Sequence, residues 1–128
     1  MRYKNYISWD EIHRLISILA NKVRHDLPNI DSIYGIPRGG MVPAAMLAYE
    51  LDLEWSNVML PNTLVVDDIC DSGDTIAKSA GVYTATLYTK ESAIVQPTLF
   101  ASILVNESQW IQFPWERDDA YMIQDYKK

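Results

Sequence analysis

The sequence predicts an α/β fold: a three-layer, open, mostly parallel sheet of four to five strands with helices on both faces. Three observations predict it. Apolar or alternating runs of strand-forming residues at 30–36, 64–66, 82–89 and 101–105 are interleaved with segments of helical period. Two of these runs end in glycine-bearing turns, Pro37-Arg38-Gly39-Gly40 and Asp71-Ser72-Gly73-Asp74-Thr75, each positioned to open a helix. Strands separated by helices need crossover connections, so the strands run parallel and both faces of the sheet need cover.

Taken in order, residues 1–7 are polar with two tyrosines and suit an edge strand or an extended arm. Ser8-Trp9-Asp10-Glu11 reads as a capping box, with Ser8 capping and Glu11 reaching back. Ile12, Leu15, Ile16, Leu19 and Val23 then recur at helical spacing, which predicts a helix over 9–25 with one buried face. His13 and His25 fall on or beside this helix as solvated or locally bonded histidines. Leu27-Pro28-Asn29 ends it. The first core strand is 30–36, and 41–51 is a second helix whose first turn tolerates Pro43. Residues 53–60 read as a strand and Pro61-Asn62 as a turn into the run Leu64-Val65-Val66. A short helix over 76–81, a strand over 82–89 with Lys90 at its carboxyl end, and a last core strand at 101–105 follow. Residues 107–115 read as a polar and aromatic loop, and 116–128 as a charged tail carrying Tyr121 and Tyr126.

With 128 residues the expectation is one domain over 1–128. The 48% hydrophobic and 22% charged content is that of an ordinary globular chain. A net charge of −6 argues against a nucleic-acid partner, which favours a basic face. The single cysteine, Cys70, excludes an internal disulfide and argues against a zinc cluster. It reads as a small residue packed beneath a loop rather than a catalytic thiol. No signal peptide and no membrane-spanning apolar run is found, so the expected location is cytoplasmic, with no membrane partner.

The chemistry concentrates in 64–75, Leu-Val-Val-Asp-Asp-Ile-Cys-Asp-Ser-Gly-Asp-Thr. A strand that ends in a small, hydroxyl-rich turn directs backbone N–H groups to one point, which suits a phosphate. The adjacent carboxylates Asp67 and Asp68 do not suit phosphate but do suit vicinal sugar hydroxyls or a divalent metal ion. Two such carboxylates after a buried strand repel unless something neutralises them. Arg38-Gly39-Gly40 is a second candidate anion site, although a tight turn with a surface arginine has the same pattern. Right-handed crossovers bring the loops after Ile36, Asp68 and Thr89 to the carboxyl edge of the sheet, where ligands bind in such folds.

The 65–75 segment resembles the phosphoribosyl-diphosphate signature of the type I phosphoribosyltransferases: apolar residues, two acids, two variable residues, then acid, small hydroxyl residue, Gly, variable residue and Thr. Tyr6-Ile7 with Trp9-Asp10, Ile36 to Pro43, and Trp110-Ile111 with Pro114-Trp115 extend the resemblance to the bacterial xanthine–guanine branch. It implies the type I fold, phosphoribosyl diphosphate and a purine base as substrates, Mg²⁺ as cofactor, and a dimer or tetramer. It places Asp67 and Asp68 on the ribose hydroxyls, with Asp68 also toward Mg²⁺. Asp71 falls near the purine N7, and Ser72, Gly73, Asp74 and Thr75 around the 5′-phosphate. Arg38 and Gly39 fall on the pyrophosphate, Lys90 on the 6-oxygen of the base, Trp110 stacked on its ring and Ile111 at its edge. Asp71, Asp68 and Lys90 are the implied catalytic residues.

Two departures from the family stand out. The long loop that closes over the site between the second and third core strands is essentially missing, since 53–60 is followed at once by Pro61-Asn62-Thr63 and the signature strand. Asp74 puts an extra negative charge beside the phosphate turn, unfavourable unless it points outward or caps the next helix. These keep a second reading alive, a phosphoribosyl-binding module that acts through protein contacts. A phosphorylation-switch receiver domain also uses an acid pair and a strand-end lysine, but needs its acids after the first strand rather than near mid-chain.

Overall fold

In the computed structural model, residues 3–79, 82–106 and 109–117 are described. Helix α1 (Trp9–Asp26) begins where the Glu11 N–H donates to Ser8 Oγ at 3.1 Å. The Glu11 carboxylate does not complete the capping box; it takes Arg14 Nε at 2.8 Å instead. Ile12, Leu15, Ile16, Leu19, Ala20 and Val23 form its buried face, as the periodicity predicts. Each large one of these contributes about 1.5–3 kcal/mol by leaving water. His13 is exposed, and so is His25, whose Nδ1 lies 2.7 Å from Asp26 Oδ1.

Strands β2 (Ser32–Gly35), β3 (Glu54–Trp55), β4 (Thr63–Cys70), β5 (Tyr83–Lys90) and β6 (Leu99–Leu104) form one parallel sheet in the order β3-β2-β4-β5-β6. Helix α2 (Met41–Leu51) joins β2 to β3 and packs on α1, β2 and β4. Helix α3 (Asp74–Ala77) is a single turn between β4 and β5. A separate parallel pair joins β1 (Tyr3–Tyr6) to β7 (Gln109–Gln112) in the register Tyr3↔Gln109 to Tyr6↔Gln112. The main core gathers the buried face of α1, Ala44 and Leu47 of α2, and Ile33, Leu64, Val66, Ala85 and Leu87 of the sheet.

Several elements depart from the sequence expectation, each for a physical reason. The strand expected over 53–60 stops at Trp55, because Ser56 Oγ donates to Val58 O at 2.6 Å and accepts from its N–H at 3.2 Å, a serine turn. Residues 56–62 therefore form a seven-residue connection in place of strand. The signature strand does not end at Val66. It carries the acid pair inside it, since β5 extends the ladder through Asp67↔Thr86 and Ile69↔Tyr88. The expected alternation of 82–89 is not seen: from Thr84 to Lys90 both faces of β5 are buried, as befits a strand with neighbours on either side. Residues 109–112 form a strand where a loop is expected, because β1 supplies a partner. The helix expected over 76–81 starts earlier and is shorter: α3 ends at Ala77 and Lys78-Ser79 form a turn, while residues 80–81, Tyr121 and Tyr126 lie outside the described residues.

Candidate active site

The chain leaves β2 outward to β3 and returns to β4 on the opposite side of β2, so the order of the sheet reverses between β2 and β4. The carboxyl edge at such a point is where open α/β sheets bind ligands. Both anion-type turns meet there. After β2, Pro37-Arg38-Gly39-Gly40 folds back tightly, the Gly40 N–H donating to Ile36 O at 2.8 Å, with the Pro37–Arg38 peptide bond cis. An added Cβ on Gly39 would lie 2.2 Å from Asp68 Oδ2, and one on Gly40 2.3 Å from Val66 O and 2.9 Å from the Asp67 Cα. The glycines thus bring this turn into contact with the acid pair, and Arg38 stays exposed at its rim. At Gly40 the obstruction is backbone on every side, so Gly40→Ala should cost about 2–3 kcal/mol of stability. Chemical denaturation of the purified variant checks this.

Asp67 and Asp68 succeed each other near the end of β4. The Asp68 N–H donates to Asp67 Oδ1 at 2.9 Å and the Ile69 N–H to Asp68 Oδ1 at 2.8 Å. Burial, and then the neighbouring Asp67 carboxylate, push the Asp68 carboxyl well above the usual carboxylate range; the Ile69 N–H only partly offsets this. Gly73 follows at φ 97°, a left-handed conformation in which an added Cβ would run into the backbone of Val95, so only glycine fits there. Ser72 Oγ accepts the Asp74 N–H at 3.2 Å. The turn 71–73 lies outside any helix or strand. With α3 only four residues long, any hold on phosphate rests on this nest rather than on a helix dipole. Asp74 is exposed and sits in the first turn of α3, the orientation that makes its charge tolerable.

Lys90 ends β5 with its side chain 6% exposed, and its Nζ lies 2.8 Å from Asp71 Oδ1. This ion pair joins two of the residues expected to be catalytic, a contact between segments far apart along the chain. Opposite them the β1–β7 pair forms a hood carrying Trp110 and the buried Ile111. An aromatic series anchors it: Trp115 stacks on Phe113 at 4.8 Å, Trp9 meets Trp115 at 5.9 Å and Tyr88 meets Phe113 at 6.0 Å.

Between hood and sheet edge lies a cleft of about 160 Å³. Asp67, Asp68, Asp71, Ser72, Gly73, Thr75, Lys90, Trp110 and Ile111 line it, all of them expected from the sequence. Arg38, Gly39 and Asp74 stand outside the lining. Gln109, Phe113 and Glu116 line it too and were not foreseen. Glu116 Oε1 accepts the Phe113 N–H at 2.8 Å, and its charge adds to the field that raises Asp68. The signal for it was the acid directly after Pro114-Trp115, which closes the aromatic segment. Cys70 is buried, donates to Val95 O at 3.2 Å and has its thiol pushed up by burial, which fits a packing role.

Sheet order, turn and acid pair accord with the fold that the resemblance to the type I phosphoribosyltransferases implies. No protein-family model matches the chain. The xanthine-guanine phosphoribosyltransferase of Cereibacter sphaeroides is 30% identical over 91% of this chain and 89% of its own length, and that of Desulfotalea psychrophila 30% identical over 90% and 88%. The first alignment runs to 151 residues although this chain has only 128, so that relative carries segments missing here. Among solved structures, a purine phosphoribosyltransferase from Pyrococcus horikoshii superposes with a TM-score of 0.76 at 27% identity, over 92% of this chain and 97% of that one. The Helicobacter pylori xanthine-guanine-hypoxanthine enzyme shares the fold, with a TM-score of 0.77 at 24% identity, over 91% and 95%. The chain belongs to the xanthine–guanine phosphoribosyltransferase family, in a minimal form.

Proposed function

We propose that the protein transfers the 5-phosphoribosyl group from phosphoribosyl diphosphate to a ring nitrogen of a 6-oxopurine (guanine, xanthine or hypoxanthine), releasing pyrophosphate, as a cytoplasmic step of purine salvage. The observation that carries this is the convergence on one cleft of a ribose-phosphate turn (67–75) with a cation and an aromatic residue suited to a base, Lys90 and Trp110. A pure phosphoribosyl binder has no use for the second half. Ser72, Gly73 and Thr75 surround the 5′-phosphate, and Asp67 and Asp68 take the ribose hydroxyls. Arg38 and the backbone at Gly39 face the leaving pyrophosphate. Trp110 stacks on the base, Ile111 holds its edge, and Lys90 donates to its 6-oxygen while Asp71 manages the proton near N7. Orientation of this kind lowers the barrier by fixing both reactants in line.

The cleft fits Mg²⁺ by its donor chemistry. Asp67 and Asp68 are adjacent carboxylates, Asp68 held above its ordinary value by burial and by Asp67, and Mg²⁺ uses one or two carboxylates together with diphosphate oxygens rather than an all-protein cage. Among the described residues no group of three or more His, Cys, Asp or Glu side chains is placed to hold a metal ion. Asp68 would hold the ion, directly or through water, and the ion would supply charge neutralisation of the departing diphosphate.

The seven-residue 56–62 connection is short for a lid that excludes water. Slow transfer with leakage to water is therefore expected: phosphoribosyl diphosphate plus water gives ribose 5-phosphate and pyrophosphate. Counting nucleotide and ribose 5-phosphate against pyrophosphate released, with guanine, xanthine and hypoxanthine in turn, tests both parts. Turnover near 10 s⁻¹ with no ribose 5-phosphate would overturn the leak. Binding of phosphoribosyl diphosphate with neither pyrophosphate nor nucleotide released for any base would overturn transferase function in favour of a binding module. Assembly as a dimer or tetramer belongs to the same proposal, supported by exposed Val58, Met59 and Leu60 in that connection. Among the described residues no helix is long and apolar enough to cross a membrane.

A further inference from the structure

The phosphate turn has little scaffolding of its own. It is followed by one turn of helix, and what it leans on is the connection between β5 and β6. The Ile94 N–H donates to Ser72 O at 3.0 Å, the Cys70 thiol donates to Val95 O at 3.2 Å, and the Val95 backbone fills the space where Gly73 lacks a side chain. That brace is itself a surface loop with Ile94 92% exposed, so something must hold its shape. Gln96 does. Its side-chain Nε2 donates to Lys90 O at 3.0 Å and Ala93 O at 3.1 Å, and its Oε1 accepts from Thr89 Oγ1 at 2.7 Å. One amide thus ties both ends of the loop to the buried end of β5 and uses every polar atom it has in doing so.

We infer that Gln96 is a positioning residue for the 5′-phosphate: it clamps residues 91–96 to the end of β5 so that Ile94 and Val95 hold Ser72 and Gly73 in the anion-binding shape. The inference rests on the phosphoribosyl reading of the cleft. Gln96 meets Lys90 only through that residue's backbone oxygen, and Lys90 is held independently by its pairing with Leu104 of β6, so loss of Gln96 should weaken phosphate binding far more than base binding. Preorganisation of this sort shows as affinity, because a loop that must be ordered on binding costs free energy each time.

The test compares guanosine 5′-monophosphate with guanosine by calorimetry on the full chain, for wild type, Gln96→Met and Gln96→Glu. Methionine keeps length and bulk and loses all three bonds; glutamate keeps the acceptor and loses both donors. Both variants should bind the nucleotide about tenfold more weakly, the scale of one or two net hydrogen bonds, with guanosine affinity unchanged within about twofold. A space-filling role predicts no change for either, and an unchanged nucleotide-to-nucleoside ratio overturns the inference. Equal weakening of both ligands also overturns it, as a general loss of structure. Should Gln96→Met melt below the assay temperature, Thr89→Val removes one of the three bonds and is read by the same ratio. If the wild-type chain binds guanosine but gains nothing from the phosphate, the phosphoribosyl reading itself fails, a result distinct from an effect of Gln96.

Discussion

Asp71→Asn is expected to abolish nucleotide synthesis, by about a hundredfold or more in kcat/KM for guanine, while leaving affinity for phosphoribosyl diphosphate nearly intact. It should also destabilise the protein more than Lys90→Met does. The two partners are unequally buried, with the Lys90 side chain 6% and the Asp71 side chain 23% exposed. Removing the carboxylate strands an ammonium group in the interior at the end of β5, which costs about 3 kcal/mol. Removing the ammonium leaves a carboxylate that still reaches water, and methionine fills the vacated space, so the loss should be about 1 kcal/mol or less. The double variant should regain much of the stability lost by Asp71→Asn, with a coupling energy of about 1–3 kcal/mol, and regain no activity. Urea unfolding of the four proteins alongside steady-state kinetics reads both effects. Surviving synthesis in Asp71→Asn would remove that residue from proton management, and equal destabilisation by the two single changes would refute the burial argument.

Under the proposed function the pairing also constrains base binding. Lys90 cannot serve the 6-oxygen of a purine from inside an undisturbed 2.8 Å contact with Asp71 without sharing its donors between the two. An ammonium has three donors, so sharing is possible and keeps the base, the lysine and the acid in one hydrogen-bonded group. On the same proposal Trp110 and Ile111 reach this group from the hood, on an element that follows β6 in sequence.

How much of this was legible before the fold was known depended on how local the information was. The acid pair, the Ser72-Gly73 turn and the Arg38-Gly39-Gly40 turn were readable because each is a contiguous run whose residue types state their own geometry. The α1 face was readable because period 3.6 is a local property. The strand character of 109–112 was not, because Gln109-Trp110-Ile111-Gln112 carries no alternation of its own and becomes a strand through pairing with β1, more than a hundred positions away. The continuation of β4 through two aspartates ran against β-propensity and is imposed by the ladder with β5, since the pairing with β2 ends at Gly35↔Val66. The early end of β3 was hidden in one hydroxyl, Ser56, whose turn outweighs the apolar run Val58-Met59-Leu60. The Asp71–Lys90 pair and the entry of Glu116 into the cleft are contacts between distant segments, and residue types alone carry no such distance.

Asp68→Asn should separate stability from function most sharply, in opposite directions. The Asp68 carboxyl is raised well above its ordinary value by burial and by Asp67, so between an unfolded value of about 3.9 and the raised folded value the native chain keeps a proton that the unfolded chain has lost. The unfolded state then binds fewer protons, and stability falls as pH climbs through that window. Below the unfolded value the carboxyl is protonated in both states and the penalty vanishes. Asparagine is neutral at every pH and retains an acceptor oxygen for the Ile69 N–H, so the variant without ligand should match wild type near pH 3.5 and become increasingly more stable than it toward neutral pH. The same change removes the carboxylate assigned to Mg²⁺ and the ribose, so phosphoribosyl diphosphate should no longer raise the melting temperature in the presence of Mg²⁺, where wild type should gain several degrees. Melting curves across pH, with and without Mg²⁺ and phosphoribosyl diphosphate, decide it. A stability gain that does not change with pH would show that the asparagine acts through packing instead of charge, and a retained ligand shift would move the metal and sugar away from Asp68. Both expected results together would mean that this fold tolerates a costly carboxylate at the end of β4 because the ligand, not the protein, provides its counter-charge.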